Sequence, residues 1–290
     1  MKLVEQKAEL IEQDFSDILF GIYKQIEKAA RTAYKSEDKI TEDSAKDFVE
    51  RMIKSKHFST LEHGTVYLKF ALDPGTQEFL EFFKYNKYSN VHESIYKDDF
   101  GNWCHDVFIT TNFRVINEAE ESLNKMLGDF YDWKYFLCEP TEFHVKRYTV
   151  KLTTNRQVTH EAVRHRTMSF AQESTRYCNY SKDKFGNELT FIIPSWLGYD
   201  VYDDTKVFKT HLVEIENTYN SLLEHGWVAQ QAAAILPNAL KTDIVITASE
   251  DDWKHFFDLR LYGKTGAPHP DMKKAAELIH EQLIKAGYKD

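Results

Sequence analysis

Apolar side chains recur every three or four positions in several parts of the chain, and this spacing predicts amphipathic helices. The first predicted helix covers residues 15–30, where the apolar side chains from Ile18 to Ile26 fall on one face. Thr41 is a suitable N-cap for a second helix, which carries apolar side chains as far as Ile53. The same spacing predicts further helices over residues 117–133, 156–165, 206–224, 252–259 and 271–286.

Other segments alternate apolar and polar side chains, which is typical of a half-buried β-strand. Val66, Leu68 and Phe70 alternate in this way with Tyr67 and Lys69. Further strands are predicted over residues 108–113, 143–150, 189–193 and 244–247. Helices and strands are mixed without a regular β-α-β order. The predicted class is therefore α+β, with an antiparallel or mixed sheet and long helices, rather than a doubly wound fold.

Composition places the chain among ordinary globular proteins. Its 290 residues include only 6 prolines and 11 glycines, and no Gly/Ser/Pro-rich linker divides them. We therefore expect a single mixed domain over residues 1–290. The 37 basic and 46 acidic side chains leave a net charge of −9, which argues against a general nucleic-acid partner.

Membrane insertion and secretion are not indicated by the sequence. A bilayer span needs about 18 or more consecutive apolar residues, and no such run occurs. Charged residues interrupt the first six positions, where a signal peptide would need an apolar stretch. Cys104, Cys138 and Cys178 lie far apart, as is usual for reduced thiols. We expect a cytoplasmic protein without a membrane partner.

Familiar nucleotide and metal motifs are incomplete. Gly263-Lys264-Thr265 resembles the end of a P-loop, but Asp258 replaces the first glycine, and no Gly-x-Gly-x-x-Gly motif occurs. His160-Glu161 resembles the start of a zinc-protease helix, but position 164 holds arginine instead of the second ligand. We therefore expect no metal site.

One short segment concentrates groups that bind anions. Residues 164–177 contain three arginines and a histidine, interleaved with the hydroxyls of Ser169, Ser174 and Thr175. Arginine forks and hydroxyl donors suit one or more phosphates. A solvated basic turn would have the same composition, so the pattern alone leaves both interpretations open.

The same segment resembles the signature of the flavin-dependent thymidylate synthases. That signature is Arg-His-Arg, seven residues and then Ser; here it is Arg164-His165-Arg166 followed by Ser174, with Arg176-Tyr177 beyond. Residues 57–63 resemble the family's flavin-contacting segment, and residues 256–260, with His269 beyond them, resemble its C-terminal substrate segment. Residues from about 72 to 139 resemble an insertion relative to shorter members.

The resemblance implies an enzyme that methylates dUMP to dTMP. It implies FAD as cofactor, NADPH as reductant and methylenetetrahydrofolate as the carbon donor. It also implies a homotetramer whose active sites are built from several protomers, and a route that uses no cysteine nucleophile. Two alternatives stay open: a related flavoenzyme that adds another one-carbon group, and a non-catalytic nucleotide or flavin binder.

Residue roles also follow from the resemblance. The residues that it implies for dUMP binding are Glu161, Arg164, Gln172, Glu173, Ser174, Thr175, Arg176 and Arg260. The residues that it implies for FAD binding are His57, Ser59, Arg164, His165, Arg166, Gln172, Ser249, Asp251 and His255. As an alternative role, Glu161 could pair with Arg164 or His165 one helical turn on.

Arg260 is the predicted catalytic residue. Activation of uracil at C5 places negative charge on the N3–C4–O4 edge of the ring, and a fixed guanidinium stabilises that charge. A surface arginine at a helix C-terminus is the alternative, because it would interact well with the helix dipole. The sequence departs from the family at Ala233, where the resemblance calls for an arginine that holds dUMP.

Overall fold

The computed structural model describes residues 1–127, 132–176, 178–182, 186–197 and 204–290. The helices in these ranges are α1 (Ile18–Tyr34), α2 (Ser44–Lys54), α3 (Gln77–Lys84), α4 (Phe113–Leu127), α5 (Arg156–Ala162), α6 (Asp204–Glu224), α7 (Ala229–Ala232), α8 (Glu250–Arg260) and α9 (Pro270–Lys285). The strands are β1 (Lys2–Val4), β2 (Lys7–Ile11), β3 (Thr65–Ala71), β4 (Asn90–Lys97), β5 (Trp103–Asn112), β6 (Arg147–Asn155), β7 (Ser169–Gln172), β8 (Thr190–Ile192) and β9 (Lys241–Ser249). None of these helices combines the length and the apolar character that are needed to cross a lipid bilayer.

An antiparallel sheet with the strand order β2-β6-β9-β7 forms the centre of the fold. Ile246 of β9 lies opposite Val150 of β6 on one side and Phe170 of β7 on the other. A second antiparallel sheet has the order β3-β5-β4, and β1 and β8 form a short parallel pair. The predicted α+β class with an antiparallel sheet is confirmed.

Helices cover both faces of the central sheet. Because successive side chains of a strand point to opposite faces, β9 contributes to two layers and is buried from Thr242 to Ser249. Ile244 belongs to the core that α5, α8 and α9 form on one face. On the other face, Val245 packs with Ala29 of α1.

The predicted insertion, residues 72–139, contributes α3, β4, β5 and α4. β5 pairs with β3, and Ile109 lies opposite Leu68. Phe79 of α3 and Ile109 belong to the same buried cluster as Ile22 of α1. The described part of this segment therefore builds a sheet and helices whose core is continuous with the first helix.

The predicted helices differ from the observed ones mainly at their ends, and Asp43 rather than Thr41 is the N-cap residue of the second helix. α1 begins three residues later than predicted because Asp17 caps it, and its carboxylate accepts a hydrogen bond from Phe20 N. The helix predicted over residues 117–133 begins earlier, at Phe113. Its predicted last turn includes residues 128–131, which lie outside the described residues.

The strand predictions needed larger corrections. The strand predicted over residues 143–150 begins only at Arg147, because the preceding residues form a turn in which Thr141 N donates to His144 Nδ1 at 3.1 Å. β9 extends beyond the predicted range, 244–247, at both ends. No strand is predicted for β2, β4 or β7: the alternation of β2 covers only residues 7–10, polar residues break that of β4, and β7 has only four residues.

A buried ion pair ties α1 to α2. Arg31 Nε donates to Glu27 Oε1 at 2.7 Å, and the two residues are 6% and 1% exposed. Ser44 Oγ, at the start of α2, lies within 2.9 Å of both carboxylate oxygens of Glu27. The Arg31 guanidinium also lies 4.7 Å from the ring centroid of Phe48. Loss of either charge would leave the other buried without compensation.

We predict that Glu27→Ala lowers the free energy of unfolding by about 3–5 kcal/mol, because it leaves the Arg31 charge buried and unpaired. Glu118→Ala is the matched control, since Arg114 Nε donates to Glu118 Oε1 at 2.8 Å over the same i,i+4 spacing but on the surface. That control should cost only about 0.3–0.5 kcal/mol. Denaturant unfolding of both variants measures the difference, and equal losses would contradict the role of burial.

Candidate active site

Two chain segments distant in sequence meet at one end of the central sheet. The helix predicted over residues 156–165 ends at Ala162, so the 164–166 motif lies in the loop between α5 and β7. β7 begins opposite the C-terminal end of β9, where Ser169 pairs with Thr247. β9 continues directly into α8, and β7 follows the motif loop. The pairing of β7 with β9 therefore places α8 beside the motif loop.

The side chain of Arg260, at the end of α8, is held by two groups of the motif region. Its Nε donates to His165 Nε2 at 3.1 Å, and its Nη1 donates to Glu161 Oε2 at 3.0 Å. Glu161 lies in α5 and His165 just after it, 99 and 95 positions before Arg260 in the sequence. Glu161 thus pairs with Arg260 rather than with Arg164 or His165. The planar guanidinium is fixed by two of its donors and keeps the others available.

His165 is neutral at physiological pH. Burial, together with the nearby charges of Arg260 and His255, lowers the pKa of its imidazole to about 4. The side chain is only 8% exposed, and its ring lies 5.0 Å from that of Phe256. Since a guanidinium can only donate, His165 Nε2 must accept the bond from Arg260, and the imidazole proton sits on Nδ1.

Three more arginines belong to the signature segment. Arg164 and Arg166 are exposed, and neither forms an ion pair with a carboxylate among the described residues. Arg176 is also exposed, and its backbone N–H donates to Ser174 Oγ at 3.2 Å. Tyr177, the last residue of the signature, lies outside the described residues. Arg164 and Arg166 therefore present guanidiniums that no carboxylate of the described residues neutralises, which suits an anionic ligand.

Gln172 links the motif loop to the sheet. Its Nε2 donates to Thr159 Oγ1 at 3.0 Å and to Thr242 Oγ1 at 3.3 Å. These contacts anchor the end of β7 to α5 and β9, so they fix the start of the segment that carries Ser174 and Thr175. Direct contact of Gln172 with a nucleotide or flavin stays a prediction.

Glu173 lies in a buried cluster of charges. It is 2% exposed, and its Oε2 lies 3.2 Å from Lys241 Nζ and 3.3 Å from Lys35 Nζ. The same two lysines pair with Asp243. Burial alone would raise the pKa of Asp243, but the two ammonium groups outweigh it and hold the pKa well below its usual range. Tyr180 donates to the second oxygen of Glu173 at 3.2 Å.

His57 and Ser59 are exposed and lie at the start of a short 3₁₀ helix, Phe58–His63. Tyr34 OH lies 3.1 Å from His57 Nδ1. The other end of this helix is tied to the central sheet, because the buried His63 Nδ1 lies 2.8 Å from Thr247 Oγ1. In the described residues, no hydrogen bond connects His57 or Ser59 directly with Arg260.

The three C-terminal candidates occupy different environments. Ser249 caps α8: its Oγ accepts from Asp252 N at 3.2 Å and donates to Asp252 Oδ2 at 2.6 Å. Asp251 is exposed in the first turn of the helix. His255 is exposed, and its ring centroid lies 5.9 Å from that of His165. His255 is thus the one of these three whose ring contacts that of the motif histidine.

Sequence reasoning missed two kinds of supporting residue. Thr167 Oγ1 donates to Asp252 Oδ1 at 2.6 Å and so connects the motif loop with the start of α8. Lys35 reaches Glu173 from the end of α1. Thr167 occupies an unspecified position of the signature and Lys35 belongs to no local motif, so no signal in the sequence could have indicated these contacts. Ala233, the departure from the family pattern, is half-buried just after α7.

The donor set fits a flavin nucleotide better than a metal. The exposed guanidiniums of Arg164 and Arg166 are available for a pyrophosphate, which favours arginine forks. Within the described ranges, no group of three or more His, Cys, Asp or Glu side chains is placed to hold a metal ion.

Comparison with known proteins gives consistent sequence relationships. The family model described as thymidylate synthase complementing protein matches residues 118–286. A flavin-dependent thymidylate synthase of Pyrococcus furiosus is 36% identical over 148 residues, which cover 50% of this chain and 55% of that protein. The Pyrococcus abyssi enzyme of the same name is 36% identical over 161 residues, which cover 54% and 61%. The matches thus span little more than half the length of these relatives.

Among solved structures, a UMP/dUMP methylase from Streptomyces cacaoi bound with 5-Br dUMP aligns over 99% of this chain and 92% of its own. Its sequence identity is 16% and the TM-score is 0.42.

The family model covers more than half of the chain and includes the whole Arg-His-Arg segment, β9 and Arg260. The chain therefore belongs to the family of thymidylate synthase complementing proteins.

Proposed function

We propose that the protein is a flavin-dependent thymidylate synthase. It would convert dUMP to dTMP with methylenetetrahydrofolate as the carbon donor and with FAD, reduced by NADPH, as the hydride source. The observation that carries the proposal is the placement of Arg260, whose Nε donates to His165 of the Arg-His-Arg motif. Family membership and the names of the similar proteins support the same reaction.

Arg260 supplies the electrostatic part of the proposed mechanism. Negative charge builds on the N3–C4–O4 edge of uracil when C5 becomes nucleophilic, and a preorganised guanidinium stabilises it. The neutral His165 accepts a hydrogen bond from Arg260 without cancelling its charge, so it orients the fork at little electrostatic cost. Glu161 orients the Nη1 side of the same fork and partly offsets its charge.

The substrate phosphate would be held at the start of the segment after β7. Ser174, the backbone at Thr175 and Arg176 supply donors there, and Arg164 adds a second guanidinium. Gln172 would act mainly by fixing this segment through its bonds to Thr159 and Thr242. Glu173 would do the same through its lysine partners rather than by touching the phosphate, since its carboxylate is buried and paired.

FAD, when bound, supplies the two-electron chemistry of hydride transfer. Arg164, Arg166 and His165 would contact it from the motif loop, and His57 and Ser59 from the 3₁₀ segment. The remaining candidates are Gln172, Ser249, Asp251 and His255. Ser249 is largely occupied as the cap of α8, so its role would be to position this helix. We further propose a cytoplasmic homotetramer whose active sites combine segments of several protomers.

The first experiment tests the cofactor. The purified protein should show the visible absorption of oxidised flavin, bleach with NADPH under anaerobic conditions, and form dTMP from dUMP and methylenetetrahydrofolate. Arg166→Ala should lose most bound FAD, because it removes an exposed guanidinium that carboxylates do not neutralise. Arg51→Ala, an exposed arginine on α2, is the control and should keep its FAD.

Full FAD occupancy of the Arg166→Ala protein at low FAD concentration would contradict the cofactor assignment. The product must also be identified by mass spectrometry. A hydroxymethyl product would replace the proposal by a related flavoenzyme, and flavin binding without turnover would indicate a non-catalytic binder.

The second experiment tests the role of Arg260. Arg260→Ala should reduce methyl transfer by roughly 100- to 1,000-fold, equivalent to about 2.7–4 kcal/mol of transition-state stabilisation. NADPH-driven flavin reduction should stay measurable, because Arg260 is assigned to the pyrimidine. Arg260→Lys keeps the charge without the fork and should recover only part of the rate. Near-normal turnover of a folded Arg260→Ala protein would exclude Arg260 from the mechanism.

The third experiment follows the charge state of His165 by NMR. Its imidazole should titrate near pH 4 in the native protein, and Arg260→Ala should raise this pKa because a nearby positive charge is removed. Arg164→Ala is the control and should leave it unchanged. The unfolded chain takes up the same proton near pH 6.5, so this residue should make the folded state less stable as pH falls from about 6.5 to 4. A native pKa near 6.5 would contradict the proposed acceptor role.

A further inference from the structure

A cavity of about 350 Å³ lies between the two sheets, away from the motif loop. It forms where β2 ends: Ile11 is the last residue paired with β6, opposite Thr149. The chain then crosses to the second sheet, where Gln13 exchanges two hydrogen bonds with the backbone of Thr65 at 2.8 and 2.9 Å. This crossing leaves a wedge beside the first residues of β6.

The guanidinium of a half-buried arginine forms part of the cavity wall. Arg147 donates to the Glu62 carbonyl at 3.0 Å, and to Thr65 Oγ1 and the Thr111 carbonyl at 3.4 Å each. No carboxylate among the described residues forms an ion pair with it. Burial lowers the pKa of Arg147 more than the charges of Glu62 and Asp252, which act without direct contact, raise it. A cation held in such a position is normally matched by an anion in direct contact.

Two further wall residues carry unsatisfied polar atoms. Gln25 is 3% exposed; its Nε2 lies 3.4 Å from the Ile11 carbonyl, but its Oε1 has no hydrogen-bond partner among the described residues. Tyr148 is 8% exposed and its OH likewise has no partner in the described part of the chain, but its ring packs against Tyr288 on the α9 face of the sheet. Buried polar atoms are almost always satisfied, so Gln25 Oε1, on the wall of the cavity, points to an occupant.

The rest of the wall defines what kind of occupant fits. Phe15, Tyr67 and Pro140 give it apolar and aromatic surface. Lys146 and Glu12 also line it, and their charges offset each other, so the net charge of the wall is that of Arg147. An occupant should therefore combine a flat apolar body with one negative charge and at least one hydrogen-bond donor.

We propose that this cavity is a binding site for a small aromatic carboxylate that also carries a hydroxyl or amine donor. The carboxylate pairs with Arg147, the ring packs between the apolar walls, and the donor satisfies Gln25 Oε1. None of the candidate dUMP or FAD residues lines the cavity. Arg147 donates to the carbonyl of Glu62, in the 3₁₀ segment that carries Ser59, so an occupant would contact the residue that supports this segment.

The test is calorimetric titration of the purified full chain with three matched probes. 4-Hydroxybenzoate has both the carboxylate and the donor, benzoate lacks the donor, and 4-hydroxybenzamide lacks the charge. We expect 4-hydroxybenzoate to bind most tightly. Loss of the hydroxyl should weaken binding about 2- to 10-fold, and loss of the charge should weaken it about 10- to 150-fold.

Variants then assign the contacts. Gln25→Leu should abolish the preference for 4-hydroxybenzoate over benzoate, and it should fold because it removes an unsatisfied buried atom. Arg147→Lys should weaken both acids, since lysine cannot provide the fork. Arg166→Ala, in the candidate active site, is the control and should bind the probes as the unmodified protein does.

Two results would overturn the proposal. One is the absence of any heat of binding at about 10 mM probe, a concentration that reveals even millimolar dissociation constants. The other is binding that Gln25→Leu leaves unchanged in its hydroxyl preference, or that Arg166→Ala abolishes, because the probes would then occupy a different site. If Arg147→Lys fails to fold, the Gln25→Leu comparison decides alone.

Discussion

The pairing of β9 with β6 on one side and β7 on the other is the constraint on which the rest of the structure depends. β9 is buried along almost its whole length, so it can tolerate few polar atoms without partners. Its Thr247 meets this requirement through Thr149 Oγ1 and His63 Nδ1, each 2.8 Å away. One hydroxyl thus joins the central sheet to the segment that carries His57 and Ser59.

β9 also fixes the position of the 164–166 motif relative to Arg260. A slip of one residue in the β7–β9 register would turn every side chain of β7 to the opposite face. Gln172 would then lose Thr242, and the loop before β7 would move relative to α8. The bond between Arg260 and His165 therefore depends on a register that is set several residues away, by buried apolar contacts such as Ile246 with Phe170.

The local hydropathy pattern predicted the presence of helices more accurately than the residues at which they begin and end. α1 and α9 have strong helical spacing and appear within a few residues of their predicted ranges. β7 has only four residues, and its strand character comes from pairing with β9 rather than from its own alternation. No local pattern contains that partner, so sequence reasoning could not supply the strand.

The candidate site shows the same limit more sharply. A resemblance indicated Arg260 and the 164–166 motif separately, but the hydrogen bond between Arg260 and His165 joins residues 95 positions apart. Similarly, Glu173 was expected on the substrate, whereas the structure buries its carboxylate between Lys35 and Lys241. Its contact with dUMP stays a prediction, and burial with two lysines favours an indirect role.

The distribution of carboxylate partners explains how an acidic chain can present a cationic site. Net charge is −9, yet the acidic groups near the motif are mostly engaged elsewhere. Glu173 and Asp243 are paired with lysines, and Asp252 accepts from the hydroxyls of Thr167 and Ser249.

Within the described ranges, the Glu161 carboxylate pairs with the guanidinium of Arg260 and with neither Arg164 nor Arg166. No carboxylate in the described ranges therefore neutralises Arg164 or Arg166. Both side chains are exposed, so only dissolved ions screen their charges. Because lysines rather than these arginines balance the buried acids, the forks that suit phosphate stay available. The local field that an anionic nucleotide meets is thus decided by which cation each carboxylate pairs with, and the net charge of the chain does not reveal it.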